Sequence, residues 1–337
     1  MRKFHPMAVQ AEKNGKTIYH LNIGQPDLPT PPAYYETIRQ FDLATLGYEA
    51  SPGMPVLINA VRKYYQELDV ELAPEDVFIT TGGSEALLFT CLSIMDPYTE
   101  LIIPEPYYPN YTTFVHAAGG VIRALPTNPW EGYRYAKRER IESLITKNTR
   151  AIMITNPGNP TGVVLDQKEM RMIADIAKKH DLFLICDEVY REFCYDDKFG
   201  VPTMAKFTDI QDNLVIIDSV SKRFSACGAR VGCVVTRNKE LQQALLKFCQ
   251  SRLSVATLDQ IGAAALYSVD ESYYAQSKAE YRHRRDIVVD GLRRIPGVMV
   301  EEPMGAFYVM ASLPVDDSDK FQRWLLEEYD DNGDTVM

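Results

Sequence analysis

The sequence predicts an α/β fold built on a mainly parallel sheet, and three observations predict it. Short apolar runs at Val77–Ile79, Leu101–Ile103, Ala151–Ile154, Leu182–Cys186 and Leu214–Ile217 read as buried strands. Helix-period patterns alternate with them, clearest over Pro55–Leu68 and Gln167–His180. Several runs end in loops rich in Gly, Pro, Asn or Ser, on the side where open α/β sheets hold ligands.

The 337 residues suit one large domain or two unequal ones. With 36 Lys and Arg against 46 Asp and Glu, the net charge is −10 and no basic block relieves it, which argues against a nucleic-acid partner. The six cysteines form no CxxC pair and sit mostly in apolar runs, so they read as reduced thiols. Five scattered histidines offer no metal-ligand pair. No apolar run approaches a membrane span and no secretory leader is read, so the expectation is a cytoplasmic protein.

In chain order, residues 1–15 have few apolar anchors and are expected to lie across the surface of the body or of a partner. Tyr19–Asp27 reads as a short strand breaking into a turn at Gly24. Tyr48 lies in a loop that ends at Gly53, before the Pro55–Leu68 helix. Val77–Leu87 reads as strand, glycine turn and helix. Its converging N–H groups and about half a positive charge of helix dipole suit a phosphate near Gly83 and Ser84. The bland alternative is a helix capped by Ser84 with Gly82 and Gly83 in the loop. Neither GxGxxG nor GxxxxGK[ST] is present, so nicotinamide and nucleotide readings lose their main support.

Glu100–Tyr111 is a strand running into a corner where Tyr107, Tyr108 or Tyr111 offers a face for stacking, or serves the core. Arg150–Thr155 is a strand leading into Asn156-Pro157-Gly158-Asn159-Pro160-Thr161-Gly162, a rigid loop at a strand's C-terminal end. The next strand ends in Asp187, costly in apolar surroundings unless a cation meets it. Asp187-Glu188 also fits a Mg²⁺ site, but no phosphate-binding lysine loop accompanies it. Lys222 follows the strand Leu214–Asp218 among Ser219, Ser221 and other small residues, where an amine can lose its proton and act as a nucleophile. Arg230, eight positions on, offers a fork of donors suited to a phosphate. Val231–Thr236 reads as a strand, Lys239–Leu266 as helical, Tyr273–Ile295 as one long helix, Gly305–Met310 as a strand and Asp319–Tyr329 as a helix.

The segments LNIGQPDLPTP, Tyr48–Gly53, NPGNPTG, Asp187–Tyr190 and SVSKRFSACGAR together resemble the class I/II pyridoxal-phosphate (PLP) aminotransferases. The resemblance implies the PLP-dependent transferase fold type I, with residues 25–270 as a large cofactor domain and residues 1–24 with 271–337 as a small one. It implies PLP held as a Schiff base on Lys222, the ring nitrogen on Asp187, and the 3′-oxygen bonded by Tyr190 and Asn159. Tyr108 stacks on the ring, and Gly83, Ser84, Ser219, Ser221 and Arg230 anchor the phosphate. Tyr48 reaches the phosphate of the other subunit of a homodimer, and Gly24 and Asn159 border the substrate. Cis bonds are implied at Glu105–Pro106 and Asn159–Pro160. The substrates implied are an amino acid, aspartate, aromatic or similar, and a 2-oxo acid. A C–S β-lyase or other lyase of the same fold, or a catalytically impaired fragment, remains the alternative. Arg252 is a candidate for a dicarboxylate side chain across the interface, or a solvated helix-end residue. The family also carries an arginine for the substrate α-carboxylate beyond the small-domain helix. No counterpart is read before Met337, so the expectation is an incomplete C-terminal part with apolar faces around Phe307 and Val309 uncovered.

Overall fold

A strand whose every residue is apolar must be covered on both faces. The computed structural model, which describes residues 2–42 and 44–337, shows how this is met. The chain opens with α1 (His5–Lys13), β1 (Thr17–Tyr19), α2 (Pro32–Arg39) and α3 (Pro55–Glu67). Then follow β2 (Val77–Thr80), α4 (Gly82–Ile94), β3 (Glu100–Pro104), α5 (Asn110–Ala117), β4 (Val121–Leu125) and α6 (Arg138–Glu142). The centre is β5 (Thr149–Thr155), α7 (Gln167–Lys179), β6 (Phe183–Asp187), β7 (Leu214–Ser219), α8 (Val220–Arg223) and β8 (Gly232–Val235). The chain closes with α9 (Lys239–Arg252), α10 (Thr257–Leu266), α11 (Glu271–Arg293), β9 (Met299–Val300), β10 (Ala311–Ser312), α12 (Ser318–Glu327) and β11 (Asp334–Val336).

Among the described residues, seven strands form the main sheet in the order β2-β8-β7-β6-β5-β3-β4. All run parallel except β8, which is antiparallel to both neighbours. Successive side chains leave a strand on opposite faces, and the two cores follow that alternation. Ile152, Ile154, Leu184, Cys186, Leu214 and Ile216 meet Leu57, Ile173 and Ala263 of α3, α7 and α10 on one face. Ala151, Met153, Ile185, Val215 and Ile217 meet Leu87, Val115 and Leu245 of α4, α5 and α9 on the other. The fold is therefore the expected α/β architecture. Helix α7 starts where the sequence says it should, because Asp166 and Glu169 close a reciprocal capping box. Thr155, Asp187 and Ile217 stand side by side in register, so the strand ends and the loops after them share one edge.

Three expectations need correction. Residues 5–13 are helical, and Phe4 and Ala8 are buried with Leu326 and Met337, while β1 pairs in parallel with β11. Apolar spacing too sparse for a core helix was enough for this small satellite cluster. Gly305–Met310 is a loop rather than a strand, because Ala306 adopts a φ of +55° and its N–H turns to Phe193 O at 2.8 Å. Phe307 is covered: its ring stacks on Tyr281 at 5.0 Å and meets Tyr190 edge-on at 5.2 Å, while Val309 is half-buried.

Candidate active site

The N-terminus of α4 carries backbone N–H groups with no partner inside the helix. Thr81 stands at its N-cap, so Gly82, Gly83 and Ser84 form the first turn and the reading of Ser84 as the cap does not hold. Gly82 has a φ of +73°, and a Cβ there would stand 2.5 Å from Arg230 Nη2. A Cβ on Gly232 would lie 2.6 Å from the Gly82 carbonyl carbon and 2.7 Å from the Gly83 nitrogen. These two glycines let the helix tip sit against Arg230 and the end of β7, with Ser219 and Val189 in ordinary contact distance of Gly83.

Ser219 caps α8, its Oγ accepting from Ser221 N–H at 3.0 Å. The same hydroxyl bonds Ser221 Oγ at 2.8 Å and Val231 O at 3.0 Å. Lys222 lies in that short helix, and its Nζ donates to Gly24 O at 2.6 Å, with Cys227 Sγ at 3.7 Å. Arg230 is exposed, in the left-handed region at φ +53°, with Nη1 donating to Cys227 O at 2.9 Å. Ser219 and Ser221 thus bond each other beside the lysine in the chain, while its Nζ meets Gly24 O and Cys227 Sγ.

Asp187 is buried at the end of β6 and accepts from Tyr111 Oη at 2.7 Å and from Val189 N–H at 3.3 Å. Burial pushes its carboxyl up to about 6, against the lowering pull of those two bonds and of the Lys222 charge. Tyr190 receives Asn159 Nδ2 at 3.4 Å and lies 2.5 Å from Tyr308 Oη. Burial holds the Tyr190 hydroxyl well above the usual phenol range, so it stays protonated. The Asn159 loop has cis bonds at Asn156–Pro157 and Asn159–Pro160, and Glu105–Pro106 is also cis. The first of these was not expected.

Of the three tyrosines left open by the sequence, Tyr111 is buried, while Tyr107 and Tyr108 are both half-buried. Tyr111 is buried beneath Asp187, Tyr107 bonds Thr112 at 3.2 Å, and Tyr108 is half-buried at the wall, edge-on to Tyr111 at 5.4 Å. Glu188 turns away from the edge, paired with Arg191 at 2.9 Å and accepting from Met204 N–H at 2.8 Å, so the two acids do not form a joint cation site.

The structure therefore gathers Gly83, Ser84, Ser219, Ser221, Lys222 and Arg230 at one end. Asp187, Tyr190, Asn159 and Tyr108 lie at the other, and Gly24 reaches in through the lysine. Tyr48 is not part of this group: it is 82% exposed and borders a groove lined by Ser254–Asp259. Arg252 faces its own chain, donating to Ser51 O at 3.0 Å and Ile79 O at 3.3 Å and pairing with Glu85 at 3.4 Å. That corrects the solvated reading. Sequence reasoning missed Tyr308 and Gly232; the only hint of the former was an aromatic pair after Gly305.

Pyridoxal phosphate fits these residues. Bare glycine backbone and an arginine fork suit a phosphate, and a buried carboxyl with no ion pair among the described residues suits a protonated ring nitrogen.

The sequence matches the family Aminotransferase class I and II over residues 16–330. It is 34% identical to aspartate aminotransferase of Pyrococcus horikoshii, over 92% of this chain and 80% of that one. A probable aspartate/prephenate aminotransferase of Thermus aquaticus is 32% identical, over 90% of this chain and 79% of its own. Among solved structures, aspartate aminotransferase from Thermotoga maritima superimposes with a TM-score of 0.90 at 28% identity, covering 99% of this chain and 87% of that one. Alanine aminotransferase from Pyrococcus furiosus gives 0.87 at 28% identity, over 96% and 85%. A match over nearly its whole length places the chain in the class I and II aminotransferases, as a pyridoxal-phosphate-dependent enzyme.

Proposed function

We propose that this enzyme moves an amino group from aspartate, an aromatic amino acid or a similar donor to a 2-oxo acid, with Lys222 as the attachment and proton-transfer group. The observation that carries the reading is the pairing of strand ends: Asp187 closes β6, buried and in no ion pair among the described residues, and Lys222 follows adjacent β7. When bound, the cofactor supplies an electron sink that stabilises charge developing at the substrate α-carbon. The chain's own residues do the rest. Gly24 O aims the Lys222 amine, which takes and returns the proton at the substrate α-carbon. Asp187 as a carboxylate keeps the ring nitrogen protonated, and Tyr111 fixes its orientation. Tyr190, which Asn159 bonds, would hold the ring's 3′-oxygen together with Asn159, and Tyr108 would offer its face to the ring. The α4 tip with Gly83 and Ser84, Ser219, Ser221 and Arg230 hold the phosphate.

This reading assigns residues 25–270 to the cofactor domain and residues 1–24 with 271–337 to a smaller one. It also places Tyr48 at the phosphate of a second copy, where its exposure on its own subunit is put to use. A donor panel assayed with 2-oxoglutarate tests the assignment. New amino acid formed in step with the donor's 2-oxo acid is the expected result. Pyruvate and ammonia instead would assign the chain to the lyases of the same fold.

A further inference from the structure

Tyr308 belongs to the loop after Gly305, far from the cofactor motifs in the sequence, yet it ends inside the site. Its hydroxyl lies 2.5 Å from Tyr190 Oη. It also occupies the space that a Cβ on Gly24 would take, which is why that position is bare. Gly24 in turn accepts from Lys222 through its carbonyl. Tyr308 is half-buried, edge-on to Tyr190 at 5.5 Å and packed against Phe307 at 5.4 Å, so the ring has little freedom to leave.

A phenol has one proton to give and two lone pairs to receive with. Asn159 Nδ2 already points at the Tyr190 oxygen. If Tyr308 also donates to it, both lone pairs are engaged and the Tyr190 proton is left for a third partner. If the bond ran the other way, the Tyr190 proton would be spent on Tyr308. A negatively charged ring oxygen is the strongest acceptor in reach, and a chain of hydroxyls polarised toward it strengthens link by link. We propose that Tyr308 is a positioning residue: its hydroxyl donates to Tyr190 and so commits the Tyr190 proton to the 3′-oxygen of the cofactor. The inference rests on the proposed contact between Tyr190 and that oxygen. It gives the loop from Gly305 to Tyr308 a role in tuning the cofactor's proton affinity.

The test uses the PLP-loaded protein and reads the pH midpoint of its visible absorption band, alongside turnover. Losing a donor to the 3′-oxygen makes that oxygen more basic, so the proton it shares is held to higher pH. Tyr308→Phe keeps the ring packing and removes only the hydroxyl. Its midpoint should rise by about half to one pH unit, roughly a three- to tenfold gain in proton affinity. Tyr190→Phe should raise it further, and the double variant should match Tyr190→Phe alone. A Tyr308→Phe midpoint equal to the parent's, while Tyr190→Phe shifts, overturns this inference and leaves the site assignment standing. An undiminished Tyr308→Phe shift on the Tyr190→Phe background also overturns it. If Tyr190→Phe itself shifts nothing, the Tyr190 assignment and this inference fall together.

Discussion

Arg223 Nη2 grips both carboxylate oxygens of Asp218, at 3.0 and 2.8 Å, from the position that follows Lys222 in the chain. Arg191, which follows Tyr190, reaches the same carboxylate at 3.3 Å. One buried acid therefore ties down the backbone next to both site residues. The guanidinium groups lie over Tyr64 and Tyr65, at 4.1 and 4.8 Å from the ring centroids.

Asp218→Asn should cost about 3–5 kcal/mol of stability, because it strips a charge from two buried cations. Urea unfolding measures this. Turnover should fall as well, since Lys222 and Tyr190 lose a common anchor. A variant as stable as its parent would show that Glu188 on Arg191 and Glu192, 3.7 Å from Arg223 Nε, suffice for the two arginines.

Asp187 gives the apoprotein a predictable pH dependence. Its carboxyl is raised from 3.8 to about 6 on folding, so between those values the native state holds the proton more tightly than the unfolded state. Stability therefore falls as pH rises through that window, by on the order of 3 kcal/mol when complete. Asp187→Asn should remove this fall, visible as a smaller difference between urea midpoints at pH 4 and pH 7. The Asp187→Ala variant should still bind PLP and lose most transamination.

Lys222 should be the residue that borohydride fixes to the cofactor, found by peptide mapping of the reduced protein. Lys222→Ala should bind PLP without a fixable bond and transaminate at least 100-fold more slowly, the usual scale for losing a positioned acid–base group (~10²–10⁴). Label on any other lysine would remove it from the centre of the site.

Tyr48→Phe should weaken PLP binding by roughly tenfold, the loss of one hydrogen bond to a charged group. Sedimentation should show a dimer in both proteins. Unchanged affinity in a confirmed dimer would mean that the hydroxyl does not reach the partner's phosphate.

What the sequence determined is local. Strands β5, β6 and β7 were legible because unbroken apolar runs can only be buried on both faces, and α7 because its caps and periodicity agree. The loop Asn156–Gly162 and the Ser-x-Ser-Lys segment were legible because proline, glycine and a strand-end lysine constrain the chain wherever it folds. Tertiary structure decided the pairings. It put Tyr111 on Asp187, turned Glu188 to Arg191, folded Arg252 onto its own chain and brought Tyr308 across to Tyr190. The physical reason is that periodicity records how deeply a residue lies. A hydrogen bond between positions 118 apart depends instead on strand order and loop path, which hydrophobic patterning does not encode.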